Sequence, residues 1–187
     1  AYPLKAAKKN GVPVRIAHSH NTSQEKNLKY LIKDYSKKQI PKYATHLFAC
    51  GKEAGKWMFG KHKFQIMNNA IDAKKFIYNE EVRKQKRVEL GVEDKFVIGH
   101  VGRFNLQKNH EFLVKRFADF AKTNEDAILV LIGNGELQEK IKEMAKEYGI
   151  ETKVKFLGLR EDIPQLLQAM DLFLFPSLFE GLPVTLV

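Results

Sequence analysis

The sequence is poor in cysteine and contains no long hydrophobic run. Cys50 is the only cysteine in 187 residues, which excludes an intramolecular disulfide and favours a reducing compartment. The simplest role for this residue is that of a small core side chain. No segment approaches the roughly 20 consecutive apolar residues of a membrane-spanning helix, and the start of the chain lacks the apolar stretch of a signal peptide. We therefore expect a cytoplasmic globular protein.

Acidic residues are also too few to balance the basic ones. The 32 lysines and arginines exceed the 22 acidic residues, which gives a formal net charge of +10 and a pI near 9.5. Such an excess favours an anionic partner, which could be nucleic acid, anionic lipid or a phosphorylated ligand. The basic residues cluster at positions 5–9, 37–42, 52–63 and 83–87. Solvated helix faces explain these clusters most simply, and a membrane-facing patch or a nucleic-acid surface are the alternatives.

Apolar runs of strand length alternate with amphipathic stretches of helix length, which predicts βα units and parallel sheets covered by helices. In the first part of the chain we expect strands at residues 14–18, 46–50 and 64–67, and helices at residues 28–35 and 52–59. Pro41 is expected to separate the first helix from the second strand. Asn68 and Asn69 are expected to form a turn, because asparagine tolerates left-handed backbone.

Residues 72–94 are charged and mostly helical, and Gly91 near their end suits a helix C-cap. We interpret this segment as the connection between two domains. The helix that follows the next strand carries Phe112, Phe117 and Phe120, which we expect to lie in the core. The later strands are expected at residues 96–101, 127–132, 153–157 and 172–175. The continuous apolar run at residues 127–132 is typical of a strand buried on both faces. Four βα units in sequence predict an α/β fold with a doubly wound sheet.

Ligands of a doubly wound sheet bind at the carboxyl ends of its strands, so the loops after Val101, Ile132, Leu157 and Phe175 are the candidate site. The first of these loops contains Arg103 and Lys108 beside a helix start. Two cations, backbone N–H groups and the helix dipole would together favour a diphosphate there. The alternative is that both cations simply lie in a solvated loop.

The other loops carry glycines and one notable carboxylate. Gly133 and Gly135 do not form the dinucleotide-binding fingerprint, because the third glycine and the later acidic residue are missing. They form either a tight turn or a place where backbone passes close to a nucleobase or ribose. In the last loop, Gly181 would let backbone N–H groups approach a phosphate, and Pro183 predicts a helix start. Glu180 could accept hydrogen bonds from sugar hydroxyls, or it could only satisfy the helix dipole.

Taken together, these motifs resemble a known family. In order and spacing they are similar to the donor half of the retaining GT-B glycosyltransferases of group-1 type, which act in bacterial capsular, exopolysaccharide or lipopolysaccharide synthesis. Residues 17–22 and 49–55 resemble the end of the acceptor domain of that family, although Gly51 stands where serine is usual. The motifs that carry the donor-half resemblance are residues 102–104, 107–110, 133–137, 156–158 and 176–183.

The resemblance implies two Rossmann-like domains, of which the first is incomplete, in a chain truncated at both ends. Residues 1–72 would be the last part of the acceptor domain, residues 73–94 the connection, and residues 95–187 the donor-nucleotide domain. The family has a second glutamate that holds the nucleotide ribose, and it would fall just past Val187. We therefore expect this chain by itself to be inactive.

Site roles also follow from the resemblance. Arg103 and Lys108 would grip the donor diphosphate, and Glu180, the first of the family's two glutamates, would orient the sugar ring. His20 matches a histidine near the transferred sugar, with a loop histidine bonded to backbone as the alternative. The remaining donor-binding residues would be Gly102, Gly133, Asn134, Gly135, Leu159, Arg160, Gly181 and Leu182.

The implied reaction is sugar transfer from a nucleotide diphosphate to an acceptor hydroxyl with retention. Charge on the leaving diphosphate would be stabilised by Arg103, Lys108 and the peptide at Gly181 and Leu182, so we expect neither a metal nor a cofactor. The donor would be a UDP-sugar before a GDP-sugar, and the acceptor a glycan or a lipid-linked glycan. Peripheral contact with an anionic membrane is expected at its inner face, and no nucleic-acid partner. A sugar-nucleotide epimerase of similar architecture and a basic nucleic-acid-binding module remain the alternatives.

Overall fold

The computed structural model describes residues 1–23 and 30–183, and the chain divides into two compact units. The second unit is Asp72–Leu178, and the first is Ala1–Ile71 together with the described residues from Phe179 onward. By contacts residues 179–183 therefore group with the first unit, although the sequence analysis assigned residues 95–187 to one donor domain. Each unit contains a parallel sheet with helices, which confirms the predicted α/β class.

The first unit contains a three-stranded parallel sheet in the order β1-β2-β3, with Ala17 opposite Leu47 and Ala49 opposite Ile66. Its core is small and includes Cys50, which is 1% exposed and forms no disulfide, as expected of a small core residue. Its elements are α1 (Tyr2–Lys9), β1 (Ile16–Ser19), α2 (Tyr30–Tyr43), β2 (His46–Ala49), α3 (Lys52–Phe59) and β3 (Gln65–Ile66).

Two local expectations for the first unit are wrong. Pro41 lies inside α2, which continues to Tyr43. Because Pro41 sits in the last turn of the helix, its missing N–H removes a hydrogen bond only where the helix is about to end. Asn68 and Asn69 have no left-handed backbone. The Asn69 side chain instead donates a hydrogen bond to the Leu182 carbonyl at 3.0 Å.

Two other expectations fall outside the described residues. These are the start of the first predicted helix near Leu28 and the helix predicted to begin near Pro183. In the ranges that the structure describes, no helix is both long and apolar enough to cross a membrane.

The second unit contains a four-stranded parallel sheet in the order β6-β5-β4-β7. The strand that comes first, β4, lies between β5 and β7, so the chain reverses its direction of winding beside β4, as predicted for a doubly wound sheet. The elements are α4 (Glu80–Leu90), β4 (Phe96–Val101), α5 (His110–Ala121), β5 (Ala127–Ile132), α6 (Gln138–Glu147), β6 (Val154–Gly158), α7 (Ile163–Gln168) and β7 (Leu172–Phe173).

Apolar side chains of the second unit form one core cluster on each face of the sheet. Leu129 and Leu131 belong to the cluster with Leu113 and Phe117 of α5, whereas Val130 belongs to the opposite cluster. All six residues of β5 are buried as a result, which confirms the expectation for a continuous apolar run.

The expectation that three phenylalanines of α5 lie in the core holds only for Phe117. Phe112 is 52% exposed and Phe120 is 38% exposed. The buried side of α5 is formed by residues spaced three and four apart, and neither phenylalanine falls in that series. The buried residues of the helix are His110, Leu113, Val114, Phe117, Ala118 and Ala121.

The charged segment before β4 is held firmly in the second unit. Gly91 ends α4 with left-handed backbone, as predicted. Arg87 is only 9% exposed, so the basic cluster at residues 83–87 is more than a solvated helix face. The Arg87 guanidinium donates to the Ala169 carbonyl at 2.8 Å and to the Asp171 carboxylate at 3.1 Å.

Asp171 connects this guanidinium to the sheet. Its carboxylate accepts from the Val97 N–H at 2.7 Å and also pairs with Arg83. Burial raises the pKa of Asp171, but the Val97 N–H and the two arginines outweigh burial and hold the pKa below its usual value. We call Arg83, Arg87 and Asp171 the arginine brace; it lies at the amino ends of β4 and β7.

Candidate functional site

The loops after β4, β5 and β7 lie at the carboxyl edge of the sheet in the second unit. The loop after β4 carries both predicted cations. The Arg103 side chain is 70% exposed and pairs at 3.0 Å with Glu136, which is 56% exposed. The backbone N–H of Glu136 and then Arg103 lower the pKa of this carboxyl group. A pair so exposed contributes little to stability, so a ligand can displace it at small cost.

Lys108 closes a single 3-10 turn, Leu106–Lys108, just before α5. The Asn105 side chain caps the turn and accepts from the Lys108 N–H at 3.1 Å. The Lys108 ammonium lies 4.9 Å from the centre of the Phe175 ring, which belongs to the segment after β7. This cation is therefore placed at the switch point, between the loops of neighbouring strands β4 and β7.

The glycines bring the loops after β4 and β5 into direct backbone contact. A Cβ on Gly133, which has φ +130°, would lie 2.1 Å from the Gly102 carbonyl oxygen, and one on Gly135 would lie 2.4 Å from that of Phe104. The Phe104 N–H donates to the Asn134 carbonyl at 2.9 Å, and the Leu137 N–H donates back to Phe104 at 3.0 Å. Loop-to-loop contact thus explains why both positions need glycine.

Beneath these loops lies a buried group of one phenylalanine and two histidines. Phe104 is fully buried and stacks on His110, with ring centres 4.1 Å apart and planes 18° apart. The His110 ring meets the edge of His100 at 4.8 Å. His100 Nδ1 lies 2.8 Å from the Leu174 carbonyl, and because a carbonyl only accepts, this nitrogen carries the hydrogen.

His110 is held neutral in this group. Burial first, and then His100 and Lys108, lower the pKa of His110 to about 3. In the part of the chain that the structure describes, neither ring nitrogen of His110 has a hydrogen-bond partner. Its contribution in the structure is therefore its flat ring, which supports Phe104 and, through Phe104, both glycine-bearing loops.

The loops after β4 and β7 are joined by two further hydrogen bonds. Asn109 Nδ2 donates to the Pro176 carbonyl at 3.2 Å, and the Leu178 N–H donates to the Gln107 carbonyl at 2.8 Å. We call the three connected loops the rim. The rim brings together the predicted residues Gly102, Arg103, Lys108, Gly133, Asn134 and Gly135.

Two predicted donor-binding residues, Leu159 and Arg160, follow β6. The Gly133 N–H donates to the Gly158 carbonyl at 2.8 Å, so this segment borders the rim. Leu159 is 73% exposed. The Arg160 guanidinium pairs with Asp162 at 2.6 Å and with Glu89 of α4 at 2.9 Å. Arg160 has structural partners already, and its role in donor binding stays a prediction.

The other candidates, His20, Glu180, Gly181 and Leu182, belong to the first unit. A Cβ on Gly181 would lie 2.0 Å from the His20 carbonyl oxygen, so only glycine fits there. The Thr22 hydroxyl donates to the Glu180 carbonyl at 2.5 Å. These contacts bring His20 and Glu180 together within the unit, with the His20 ring exposed and 4.1 Å from the ring of His18. Over residues 1–23 and 30–183, no three His, Cys, Asp or Glu side chains are placed to share a metal ion.

The sequence analysis did not single out Phe104, Asn109 or His110 as separate residues, although the first lies in the Gly-Arg-Phe motif and the other two in the Gln-Lys-Asn-His motif. Only Asn109 carried a usable signal, because asparagine directly before a helix is suited to left-handed backbone. The stacking of Phe104 on His110 depends on tertiary contacts.

Comparison with known proteins identifies the family. The family model for "Glycosyl transferases group 1" matches residues 81–187, more than half of the chain. EpsF of Bacillus subtilis, a protein assigned as a glycosyltransferase, is 38% identical over 193 residues, which cover 97% of this chain and 50% of EpsF. An α-1,3-galactosyltransferase of Escherichia coli that uses UDP-Gal and α-D-GlcNAc-diphosphoundecaprenol is 31% identical over 129 residues, covering 67% of this chain and 33% of the relative.

Solved structures show the same fold. Anabaena Alr3699/HepE in complex with UDP and glucose has a TM-score of 0.80 at 24% identity, covering 94% of this chain and 49% of that one. WaaG, a glycosyltransferase involved in lipopolysaccharide biosynthesis, has a TM-score of 0.68 at 15% identity, covering 95% and 56%. This chain spans half or less of the length of the curated relatives described above. The family match favours a glycosyltransferase over the epimerase alternative, and the chain belongs to the glycosyl transferases of group 1.

Proposed function

We propose that this chain belongs to an enzyme that transfers a sugar from a nucleotide diphosphate to an acceptor hydroxyl, with retention of configuration, in the synthesis of a bacterial surface polysaccharide. The observation that carries the proposal is the rim, which holds Arg103 and Lys108 at the carboxyl edge of a doubly wound sheet. That edge is where such sheets bind ligands. The names of the relatives, which include polysaccharide and lipid-linked glycan enzymes, support the same reaction class.

In the proposed site, the donor diphosphate binds between Arg103 and Lys108 at the start of α5. The guanidinium of Arg103 can bind two phosphate oxygens at once, and Lys108 supplies a second positive charge. The side chain of Asn109, the N-cap residue of α5, does not cap the helix and donates to the Pro176 carbonyl instead. The first N–H groups of α5 therefore favour an anion as well. These charges stabilise the diphosphate as it leaves the sugar.

The roles of Glu180 and His20 concern the sugar. Gly181 fits against the His20 carbonyl, which brings the backbone of residues 180–181 beside His20. Carboxylate and imidazole groups both suit the recognition of sugar hydroxyls. We assign Glu180 to orient the sugar ring, His20 to the vicinity of the transferred sugar, and the N–H groups of Gly181 and Leu182 to a phosphate. These roles, like retention, rest on the resemblance of the motifs to those of retaining enzymes.

The preferred donor is a UDP-sugar, because HepE, which shares the fold, has been crystallised with UDP and with UDP-glucose. The preferred acceptor is a lipid-linked glycan, because relatives act on undecaprenol-linked sugars.

A thermal melt of the full protein, including any sequence outside these 187 residues, tests which nucleotide the site prefers. UDP should raise the melting temperature more than GDP or ADP, since a ligand that binds only the folded state stabilises it. If no nucleoside diphosphate changes the melt, the proposal fails.

Contact with an anionic membrane is proposed for the outer face of α2. Leu31, Ile32 and Tyr35 are 77%, 69% and 67% exposed there, and Lys33 and Lys38 on the same helix are also exposed. Apolar side chains flanked by lysines suit the surface of an anionic bilayer. The full protein should sediment with phosphatidylglycerol vesicles at low salt and not with phosphatidylcholine vesicles. Equal binding before and after a Leu31→Ser, Tyr35→Ser double substitution would contradict this assignment.

A further inference from the structure

Asn109 has an unusual backbone conformation for its residue type. Among residues 1–23 and 30–183, it is the one non-glycine residue with positive φ, with φ 56° and ψ 45°. Left-handed backbone is unfavourable for most L-residues, and asparagine tolerates it better than most. Glycine would adopt the same conformation without strain. The presence of asparagine therefore indicates that its side chain has a role at this position.

The Asn109 side chain ties the turn that carries Lys108 to the loop after β7. Its Nδ2 donates to the Pro176 carbonyl at 3.2 Å. On the other side of Lys108, the Gln107 carbonyl accepts from the Leu178 N–H at 2.8 Å. Both neighbours of Lys108 are thus bonded to the same loop. The backbone of Lys108 itself is fixed by the Asn105 cap.

The left-handed backbone of Asn109 makes this arrangement possible. The residue ends the 3-10 turn at Lys108 and begins α5 at His110. A right-handed residue would continue the turn into the helix and carry Lys108 around the helix axis. The reversal at Asn109 instead leaves the Lys108 side chain over the ring of Phe175, at 4.9 Å.

We propose that Asn109 is a positioning residue for Lys108, and that its left-handed backbone and its hydrogen bond to Pro176 set the place where the lysine ammonium meets the donor diphosphate. This inference rests on the proposed function, in which Lys108 contacts the diphosphate. Asn109 itself touches no reacting atom. Its effect on binding must therefore pass through Lys108.

Two substitutions separate the backbone of Asn109 from its side chain. Asn109→Gly keeps left-handed backbone and removes the hydrogen bond to Pro176. Asn109→Asp keeps a similar shape, but a carboxylate cannot donate to a carbonyl, and it adds a negative charge beside Lys108. Because a neutral hydrogen bond contributes about 0.5–1.5 kcal/mol, Asn109→Gly should weaken UDP binding by about 2- to 10-fold. Asn109→Asp should weaken it further.

The decisive experiment is a double-mutant cycle in the full protein, with UDP affinity measured by calorimetry. Lys108→Ala should weaken UDP binding by about tenfold or more, since a charge-assisted hydrogen bond is lost. If Asn109 acts through Lys108, adding Asn109→Gly to Lys108→Ala should cause no further loss. Asn124→Gly is the matched control, because the Asn124 side chain donates to the Phe120 carbonyl at 2.9 Å, away from the rim. It should lower the melting temperature and leave UDP affinity unchanged.

The possible failures are distinct. If Lys108→Ala leaves UDP affinity unchanged, the diphosphate role of Lys108 is wrong, and the role of Asn109 is wrong with it. If Lys108→Ala weakens binding but Asn109→Gly adds its full effect in that background, only the positioning role of Asn109 is overturned. The same applies if Asn109→Gly binds UDP as tightly as the unsubstituted protein.

Discussion

An arginine lies near each end of β4, one buried and bonded within the fold and the other exposed. At the amino end, Arg87 of the arginine brace is 9% exposed, and it is hydrogen-bonded to backbone carbonyls and to Asp171. At the carboxyl end, the Arg103 side chain in the rim is 70% exposed and pairs with a similarly exposed Glu136. The first arginine has its donors satisfied by the fold, whereas the second has donors that a ligand can take. If the proposed function is right, stability and ligand binding depend on opposite ends of one strand.

The largest expected effect comes from breaking the brace. Arg87→Met leaves the buried Ala169 carbonyl without its donor and removes one of the donors to the Asp171 carboxylate, so the free energy of unfolding should fall by about 3 kcal/mol or more. Urea unfolding measures this change. The matched variant Arg103→Met should change the free energy of unfolding by less than about 0.5 kcal/mol. Equal losses in the two variants would contradict the division of roles between the strand ends.

A pH effect of comparable size should come from His110 beneath the rim. The pKa of His110 in the fold is about 3, below the unfolded value near 6.5, so the unfolded state binds more protons between these two values. Its contribution to stability is complete above pH 6.5 and is lost as the pH falls toward 3, by up to about 1.4 kcal/mol per pH unit. His110→Phe keeps an aromatic ring against Phe104 and should remove this part of the pH dependence. Urea unfolding of both proteins between pH 6 and pH 4 checks this. If the free energy of unfolding falls with pH as steeply in His110→Phe as in the unsubstituted protein, His110 is not buried in its neutral form.

For UDP binding the expected pattern is reversed: a substitution in the rim should weaken it, and a substitution in the brace should leave it unchanged. Arg103→Met should weaken UDP binding by about tenfold or more, because charged hydrogen bonds to the diphosphate contribute about 1.5–3 kcal/mol. A brace variant that is still folded at low temperature, such as Asp171→Asn, should bind UDP with unchanged affinity. Calorimetry on both variants checks this crossed pattern. A loss of affinity only in the brace variant would reverse the assignment.

The smallest expected effect comes from Glu136. Glu136→Gln removes the exposed ion pair with Arg103, so the free energy of unfolding should hardly change. UDP affinity should stay the same or rise by about twofold, because the guanidinium no longer has a competing carboxylate. Calorimetry at low salt would detect the change. A clear loss of affinity would indicate that Glu136 helps to hold Arg103 in place.

The sequence predicted the features that depend on local patterns. The continuous apolar run of β5 predicted a strand buried on both faces, and Gly91 predicted a left-handed helix end. The loops that carry Arg103 and Lys108 were located from the order of strands and helices alone. The family motifs then indicated the glycosyltransferase fold, which the comparisons confirm.

The sequence could not predict features that depend on distant partners. Arg87 looked like a solvated cation, because its partner Asp171 lies 84 positions along the chain. The sequence did not reveal that the close neighbours of Gly133 and Gly135 are backbone atoms of Gly102 and Phe104, and the place of these glycines beside a nucleotide stays a prediction. Phe112 was assigned to the core because composition does not reveal which side of α5 meets the sheet.

The measurement that tests the central claim most directly compares a nucleoside diphosphate with its monophosphate. In the full protein, UDP should bind much more tightly than UMP, because only UDP offers both phosphates to Arg103 and Lys108. In the Arg103→Met, Lys108→Ala double variant the two affinities should converge, while the melting temperature stays near that of the unsubstituted protein. If UDP and UMP bind the unsubstituted protein equally well, or if their difference survives in the double variant, the rim is not the diphosphate site.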